Sequence, residues 1–244
     1  MQPDAALDFQ GLLRSALIGK ISRARDFWGM SDGREGSRLF YRHVAKVERR
    51  SHAVDRYLKL AEAFGVPVPD QIRFPLPSGD PLPRFDPYPP FIVLHPFARG
   101  RRKSLRNSVI EKFCHAFDPV RVVVVGKSAR RFAVPENCVN LVNQTTLLQL
   151  IWLIRAAAFT ISVDSGPMHI AAAVTSQLVS IHTWSDPRRV GPYNSEAWVW
   201  KNRQLYRAGE LTPAMNLRKG RSFMDADVET IVQLANSQFT AIPV

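Results

Sequence analysis

Two short stretches carry the residue types for chemistry. The first is Asp164-Ser165-Gly166-Pro167-Met168-His169. It follows an apolar run in which Phe159, Ile161 and Val163 alternate with Thr160 and Ser162, and it leads into an alanine-rich segment. Asp164 and Ser165 are N-capping types, because their side-chain oxygens accept amide hydrogens of a first helical turn. Pro167 suits that turn, where a missing N–H is no loss. Gly166 allows close approach of another molecule to the backbone. A helix starting here offers exposed N–H groups and a partial positive charge, which is an anion site, with His169 one turn in. The second stretch is His95 to Leu105, HPFARGRRKSL. Arg101, Arg102 and Lys103 there are mobile cations, and beside fixed N–H donors they would make a diphosphate clamp. A solvated basic loop or a nucleic-acid patch is the alternative; a position after a strand favours phosphate.

The elements that must position these stretches alternate. FIVLHP (91–96) reads as a strand, Leu105 to Phe117 as a helix, and Arg121 to Gly126, RVVVVG, as a strand buried on both faces. Val139 to Val142 is a short strand, and Thr145 to Ala157 a helix with Thr145 as cap. A strand over 160–163, a helix from Pro167 and a last sheet strand over Leu178 to His182 follow. This pattern implies a parallel sheet with right-handed crossovers, a Rossmann-like domain over 91–224, closed by a helix within 225–244. Ligands of such sheets bind beyond the carboxyl ends of the strands, where three loops meet: 95–105, the turn after Gly126, and 164–169. In the loop from His182 to Trp200, Trp184 or Tyr193 is placed to stack on a base, or the aromatics simply pin a surface loop.

The first 66 residues read as mostly helical, with helices over 12–21 and 51–64 and little strand to cover them. This first domain looks incomplete. Residues 67–90 read as a stiff spacer, because nine of the eighteen prolines fall there, with one short strand near Ile72 to Phe74.

The chain has 244 residues, 45% hydrophobic and 22% charged, as in a soluble globular protein. Its net charge of +12 points to an anionic partner, and between Phe97 and Arg131 ten Lys/Arg face only Glu111 and Asp118. Cys114 and Cys138 are too few for a disulfide framework or a metal cluster and point to a reducing compartment. The start, MQPDAALDFQ, has an early acid and no apolar core, so no secretory signal is read there. Leu147 to Val163 is too short and too interrupted for a membrane span. The six histidines are scattered and no D-x-D motif is present, so no metal site is expected.

The DSGPMH string resembles the signature of the ADP-heptose:lipopolysaccharide heptosyltransferases, glycosyltransferase family 9, which are two-domain enzymes of the GT-B type. DFQGLLRSAL (8–17), GREGSRLFY (33–41) and HAVDR (52–56) are similar to family segments in the same order. The resemblance implies an α/β, GT-B-like fold with a complete C-terminal Rossmann-like domain and a partial N-terminal α/β domain over 1–66. It implies a nucleotide-sugar donor such as ADP-heptose, held by Lys103, Asp164, Ser165, Gly166 and His169. It also implies an anionic lipopolysaccharide-type acceptor held by Arg34, His52 and Arg56, and inverting, metal-independent transfer without a cofactor. The location implied is the cytoplasm, with peripheral contact at the inner membrane and no nucleic acid as partner. The flanks of Lys103 differ from the family's K-x-W-P, so Arg101 or Arg102 are alternatives. Glu136 is the nearest acid for a ribose. The family's opening βα units, with a glycine loop and a catalytic Asp, have no counterpart. Asp8 does not match that Asp, and the catalytic residue is left unassigned. A relative that binds nucleotide-sugar or anionic glycan without turnover is the alternative reading.

Overall fold

The structure is a computed structural model that describes residues 2–100, 102–217 and 220–239. The chain divides into two compact units, up to Ile72 and from Arg73 onward.

The first unit is built on strands, against the mostly helical expectation. β1 (Ala5–Asp8), β2 (Asp26–Met30) and β3 (His43–Ala45) form a parallel sheet in the order β1-β2-β3. These strands are three to five residues long and only partly buried, too short for alternation to show in sequence. Helix α1 (Leu13–Ile21) joins β1 to β2, and α2 (Ala53–Ala63) follows β3. The core is two small clusters, Ala16 with Phe27 and Tyr41, and Met30 with Ala45 and Leu60.

The second unit holds β4 (Phe91–His95), β5 (Arg121–Val124), β6 (Cys138–Asn140), β7 (Phe159–Val163), β8 (Leu178–Ile181), β9 (Trp198–Lys201) and β10 (Gln204–Arg207). Their order is β10-β9-β8-β7-β4-β5-β6, parallel throughout except for the antiparallel β10 edge. The sheet therefore runs two strands past the expected last one. Trp198 to Lys201, read as the end of an aromatic loop, is β9.

Alternate side chains of each strand enter opposite layers. Ile92, Leu94, Val122 and Ile161 pack under α3 (Asn107–Ala116) and α7 (Val228–Phe239), while Phe91, Val93 and Val123 pack under α4 (Leu147–Ala156) and α5 (Gly166–Val174). A sheet buried on both faces needs continuous apolar strands, which is what RVVVVG and FIVLHP supply. The one-turn helix α6 (Pro187–Val190) follows β8.

The cap of α4 is Thr146, not Thr145. Its Oγ1 accepts from Gln149 N–H at 3.1 Å while Gln149 Oε1 accepts from Thr146 N–H at 2.9 Å. No strand forms at 72–74; Phe74 instead sets its ring edge-on to Tyr193, and Phe85 packs on Phe91 and Trp152. Cys114 of α3 and Cys138 of β6 are joined as a disulfide, their Cα atoms 6.2 Å apart, which departs from the reading of two cysteines in a reducing compartment. Residues 240–244 of the expected closing segment lie outside the described residues, and among the described ones no helix is long and apolar enough to cross a membrane.

Candidate functional site: the sheet's reversal point

From β4 the chain moves outward to β5 and β6, then returns to the other side of β4 for β7, β8 and β9. A crevice opens outside the carboxyl ends of the strands at such a reversal. His95 pairs in register with Ser162, so the basic loop after β4 and the 164–169 turn after β7 leave the sheet side by side.

At the turn, Ser165 is extended (φ −163°) and stands as the N-cap of α5, with Pro167 in the first turn. Its hydroxyl does not cap the helix. It donates to Val163 O at 3.0 Å and lies 3.2 Å from His95 Nδ1. Asp164 does not cap either; its Oδ2 accepts from Lys103 Nζ at 2.6 Å. The expected caps thus turn away and leave the first-turn N–H groups of α5 without a side-chain partner. A side chain added at Gly166 would meet nothing within 4 Å, so the space in front of this helix end is open. Positive helix end and open approach together make an anion seat. His169 is exposed on the first turn, whereas Met168 is core.

Asp164 is buried, and burial by itself raises its pKa. His182, Lys103 and the Ser185 hydroxyl outweigh that and hold it below the usual carboxylate range. His182 is itself pushed down to about 4 by burial, so it is neutral near pH 7, where Lys103 and Ser185 keep the carboxylate charged. Lys103 is 40% exposed at its side chain, free enough to exchange Asp164 for a ligand anion. Arg102, beside it, lies over the Trp184 ring at 5.5 Å from its centre. Arg101 lies outside the described residues.

Next to the turn is a cavity of about 540 Å³, lined among others by His95, Arg99, Lys127, Thr145, Leu150 and Ser165. That volume suits a nucleoside-sized group. Gly126 shapes it: its φ of +124° excludes other residues, and a Cβ would sit 3.0 Å from both His95 and Phe97. The lining holds two cations and no carboxylate. Glu136, the acid offered for a ribose, is exposed and outside it. His95 is pushed down to about 4 by burial and is a neutral lining group. His95 and Arg99 come from the 95–105 loop and Lys127 from the turn after Gly126, both marked by the sequence as ligand loops; Thr145, just before α4, is the lining residue that sequence reasoning missed. Among the described residues no cluster of His, Cys, Asp and Glu is arranged to hold a metal ion.

In the first unit, Arg56 donates from Nη1 to Asp32 Oδ2 at 2.8 Å, tying α2 to the loop that carries Arg34. His52 is the N-cap of α2, its Nδ1 accepting from Val54 N–H at 3.2 Å, and Arg34 is exposed. Arg34 thus follows β2 in the chain and His52 and Arg56 follow β3, and the Arg56–Asp32 pair links the two segments. Asp8 is a hub of the fold. Its Oδ1 accepts from the N–H groups of Gln10 (2.9 Å) and Gly11 (3.0 Å), and its Oδ2 from the hydroxyls of Ser15 and Tyr41 (2.8 Å each). Burial first, and then Asp8, push the Tyr41 phenol up to about 12.

A doubly covered, mostly parallel sheet whose strand order reverses at β4 defines an α/β protein of the Rossmann type. Residues 1–215 match the profile of glycosyltransferase family 9 (heptosyltransferase), and the chain belongs to that family. It is 24% identical over 217 residues to the lipopolysaccharide core heptosyltransferase OpsX of Haemophilus influenzae, a match that takes in 80% of this chain and 61% of that protein. Among solved structures it resembles the E. coli ADP-heptose lps heptosyltransferase II, with TM-score 0.67 and 22% identity over 98% of this chain and 77% of the other. It also resembles E. coli heptosyltransferase WaaC with ADP, with TM-score 0.65 and 17% identity over 96% of this chain and 73% of the other. The α/β, GT-B-like fold expected from the sequence is thereby shown, and the chain spans only part of its relatives' length.

Proposed function

We propose that this chain binds a nucleotide-diphosphate sugar of the ADP-heptose kind and takes part in heptosyl transfer to a hydroxyl of an anionic, lipopolysaccharide-core acceptor. The observation that carries the reading is the uncapped, open start of α5 beside the Lys103–Asp164 pair, in a chain of family 9. In this reading the cavity beside Ser165 takes the nucleoside. The α5 N–H groups at Ser165 and Gly166, with His169 and Lys103, take the diphosphate. Asp164 accepts hydroxyls of the sugar.

As the glycosidic bond to the diphosphate breaks, negative charge grows on the leaving group. A fixed helix end and a lysine ammonium stabilise that charge without reorganising. Attack from the opposite face inverts the anomeric carbon. Arg34, His52 and Arg56 are the acceptor-side candidates, since paired guanidinium groups suit phosphate and carboxylate. The base that takes the acceptor proton is not assigned, because Asp8 is committed to four donors of its own fold. The site of action proposed is the cytoplasmic face of the inner membrane, where an excess of positive charge meets anionic lipid acceptors.

Calorimetry with ADP and ADP-heptose tests the reading. The wild type binds both, and Asp164→Ala weakens ADP-heptose about tenfold or more, as expected for loss of charge-assisted hydrogen bonds. A wild-type chain that binds neither ligand overturns it.

A further inference from the structure

The loop between β8 and α6, residues 182–186, stands on a buried charge. Lys201 ends β9 with no exposed surface. Its Nζ donates to the carbonyls of Thr183 at 3.1 Å and Ser185 at 2.9 Å, and it makes no ion pair among the described residues. Enclosing an ammonium in the interior without a contacting carboxylate is costly, and an apolar residue would fill a strand position without that cost. Gly220 backs the same loop so closely that a Cβ there would collide with the Thr183 carbonyl oxygen. The backbone at 183 is thus held by two other segments of the second unit.

This held backbone reaches the basic loop after β4. Thr183 is buried, and its Oγ1 donates to the carbonyl of Arg102 at 3.1 Å. The Arg102 guanidinium in turn lies over the ring of Trp184. The basic loop otherwise closes on itself. The Ser104 hydroxyl accepts from Ala98 N–H at 2.9 Å and donates to Ala98 O at 3.1 Å, and Lys103 N–H donates to Gly100 O. Among the described residues, two hydrogen bonds reach 98–104 from elsewhere: Thr183 to Arg102 O, and Lys103 Nζ to Asp164. They differ in kind. The Lys103 ammonium must turn away from Asp164 to meet a phosphate. The Thr183 bond is made to backbone, one residue before Lys103, and needs no rearrangement when a ligand arrives. A β-branched side chain suits such a bond, because its χ1 is restricted.

We infer that Thr183 is a positioning residue for Lys103: its hydroxyl, on a loop braced by Lys201, fixes the carbonyl of Arg102 and so holds the segment from which the Lys103 ammonium reaches the diphosphate. The inference rests on the proposed role of Lys103 in that binding. Thr183 does not need to touch the ligand. A lysine side chain has much freedom to lose on binding, and a fixed stem reduces that loss. ADP and ADP-heptose both carry the diphosphate, so the effect falls on both.

The test is a double-mutant cycle on ADP affinity, measured by calorimetry on wild type, Thr183→Val, Thr183→Ser, Lys103→Met and the Thr183→Val, Lys103→Met double variant. Valine keeps the branched shape and removes the hydroxyl. The expected result is that Thr183→Val weakens ADP about fivefold, the range of one hydrogen bond. Thr183→Ser keeps the wild-type affinity. Lys103→Met weakens ADP too, and adding Thr183→Val to it changes nothing further. Should Thr183→Val fail to fold, Thr183→Ala takes its place in the cycle. Additive losses, which a merely structural role would give, overturn the inference. So does wild-type affinity in Thr183→Val or in Lys103→Met, or a loss in Thr183→Ser as large as in Thr183→Val. In all these cases ADP binding by the wild type leaves the proposed function standing. A wild type that does not bind ADP removes that function, and the inference with it.

Discussion

The two parallel sheets end in carboxylates with opposite commitments. Asp8, at the end of β1, has its four bonds filled by its own unit: two backbone N–H groups and the hydroxyls of Ser15 and Tyr41. Asp164, just after β7, holds one half-exposed lysine, next to an open helix end. In the first unit the polar groups at the carboxyl edge build the loops. In the second, helix layers on both faces already fix the sheet, so its edge can leave groups open for a ligand. A polar side chain at a strand end therefore says little by itself; what it is bonded to decides whether it is scaffold or site.

Acid is the strongest way to strain the second sheet. His95 and His182 are both lowered from 6.5 to about 4, chiefly by burial. His95 faces the hydroxyls of Ser162 and Ser165, and His182 faces Asp164, Lys201, His169 and Lys103. The unfolded chain takes up these protons below its ordinary histidine pKa, while the folded chain resists until about pH 4. Stability from the two neutral rings is thus complete above pH 6.5 and is lost as pH falls from there to about 4, by roughly 3 kcal/mol for each ring. Urea unfolding of the second unit at pH 7 and pH 4.5, followed by hydrogen exchange in β4 and β8, should show the loss. Equal midpoints at the two pH values would mean that these rings are not buried neutral.

The two carboxylates give the next test. Asp8→Asn replaces an acceptor of four bonds by a group that must also donate. It should cost roughly 2 kcal/mol, read as lost exchange protection in β1 and β2, with ADP affinity unchanged. Asp164→Asn should do the reverse, because its lysine partner can reach water: little stability lost, and the advantage of ADP-heptose over ADP reduced. If both variants behave alike, the contrast between scaffold and site is wrong.

How far this was legible depended on element length and on how many constraints a residue obeys. RVVVVG and FIVLHP declare themselves because a strand covered on both faces must be apolar at every position. The turn at 164–169 declares itself because Gly166 and Pro167 mark a helix start. β1, β2 and β3 were hidden: AALD, DFWGM and HVA are short and one-sided, and tertiary pairing overrides their weak local pattern. β9 was hidden by its setting, a tryptophan-rich stretch that ends in a lysine, a residue seldom fully buried. The partners of Asp164 were out of reach for a related reason. His182 comes beside it only because β8 pairs with β7, and no local spacing encodes that order.

The smallest test compares the two helix starts at the site. Both begin with a hydroxyl residue, and sequence rules assign both the same cap. Thr146 makes that cap with Gln149, so Thr146→Ala should cost about 1 kcal/mol and loosen the first-turn amides of α4 in hydrogen exchange. Ser165 spends its hydroxyl on Val163 and His95, so Ser165→Ala should leave the first-turn amides of α5 exchanging as before. Faster exchange there in the serine variant would show that the hydroxyl does cap α5 in solution. The helix end would then be partly closed, and the anion seat would need a conformational step before it could accept a diphosphate.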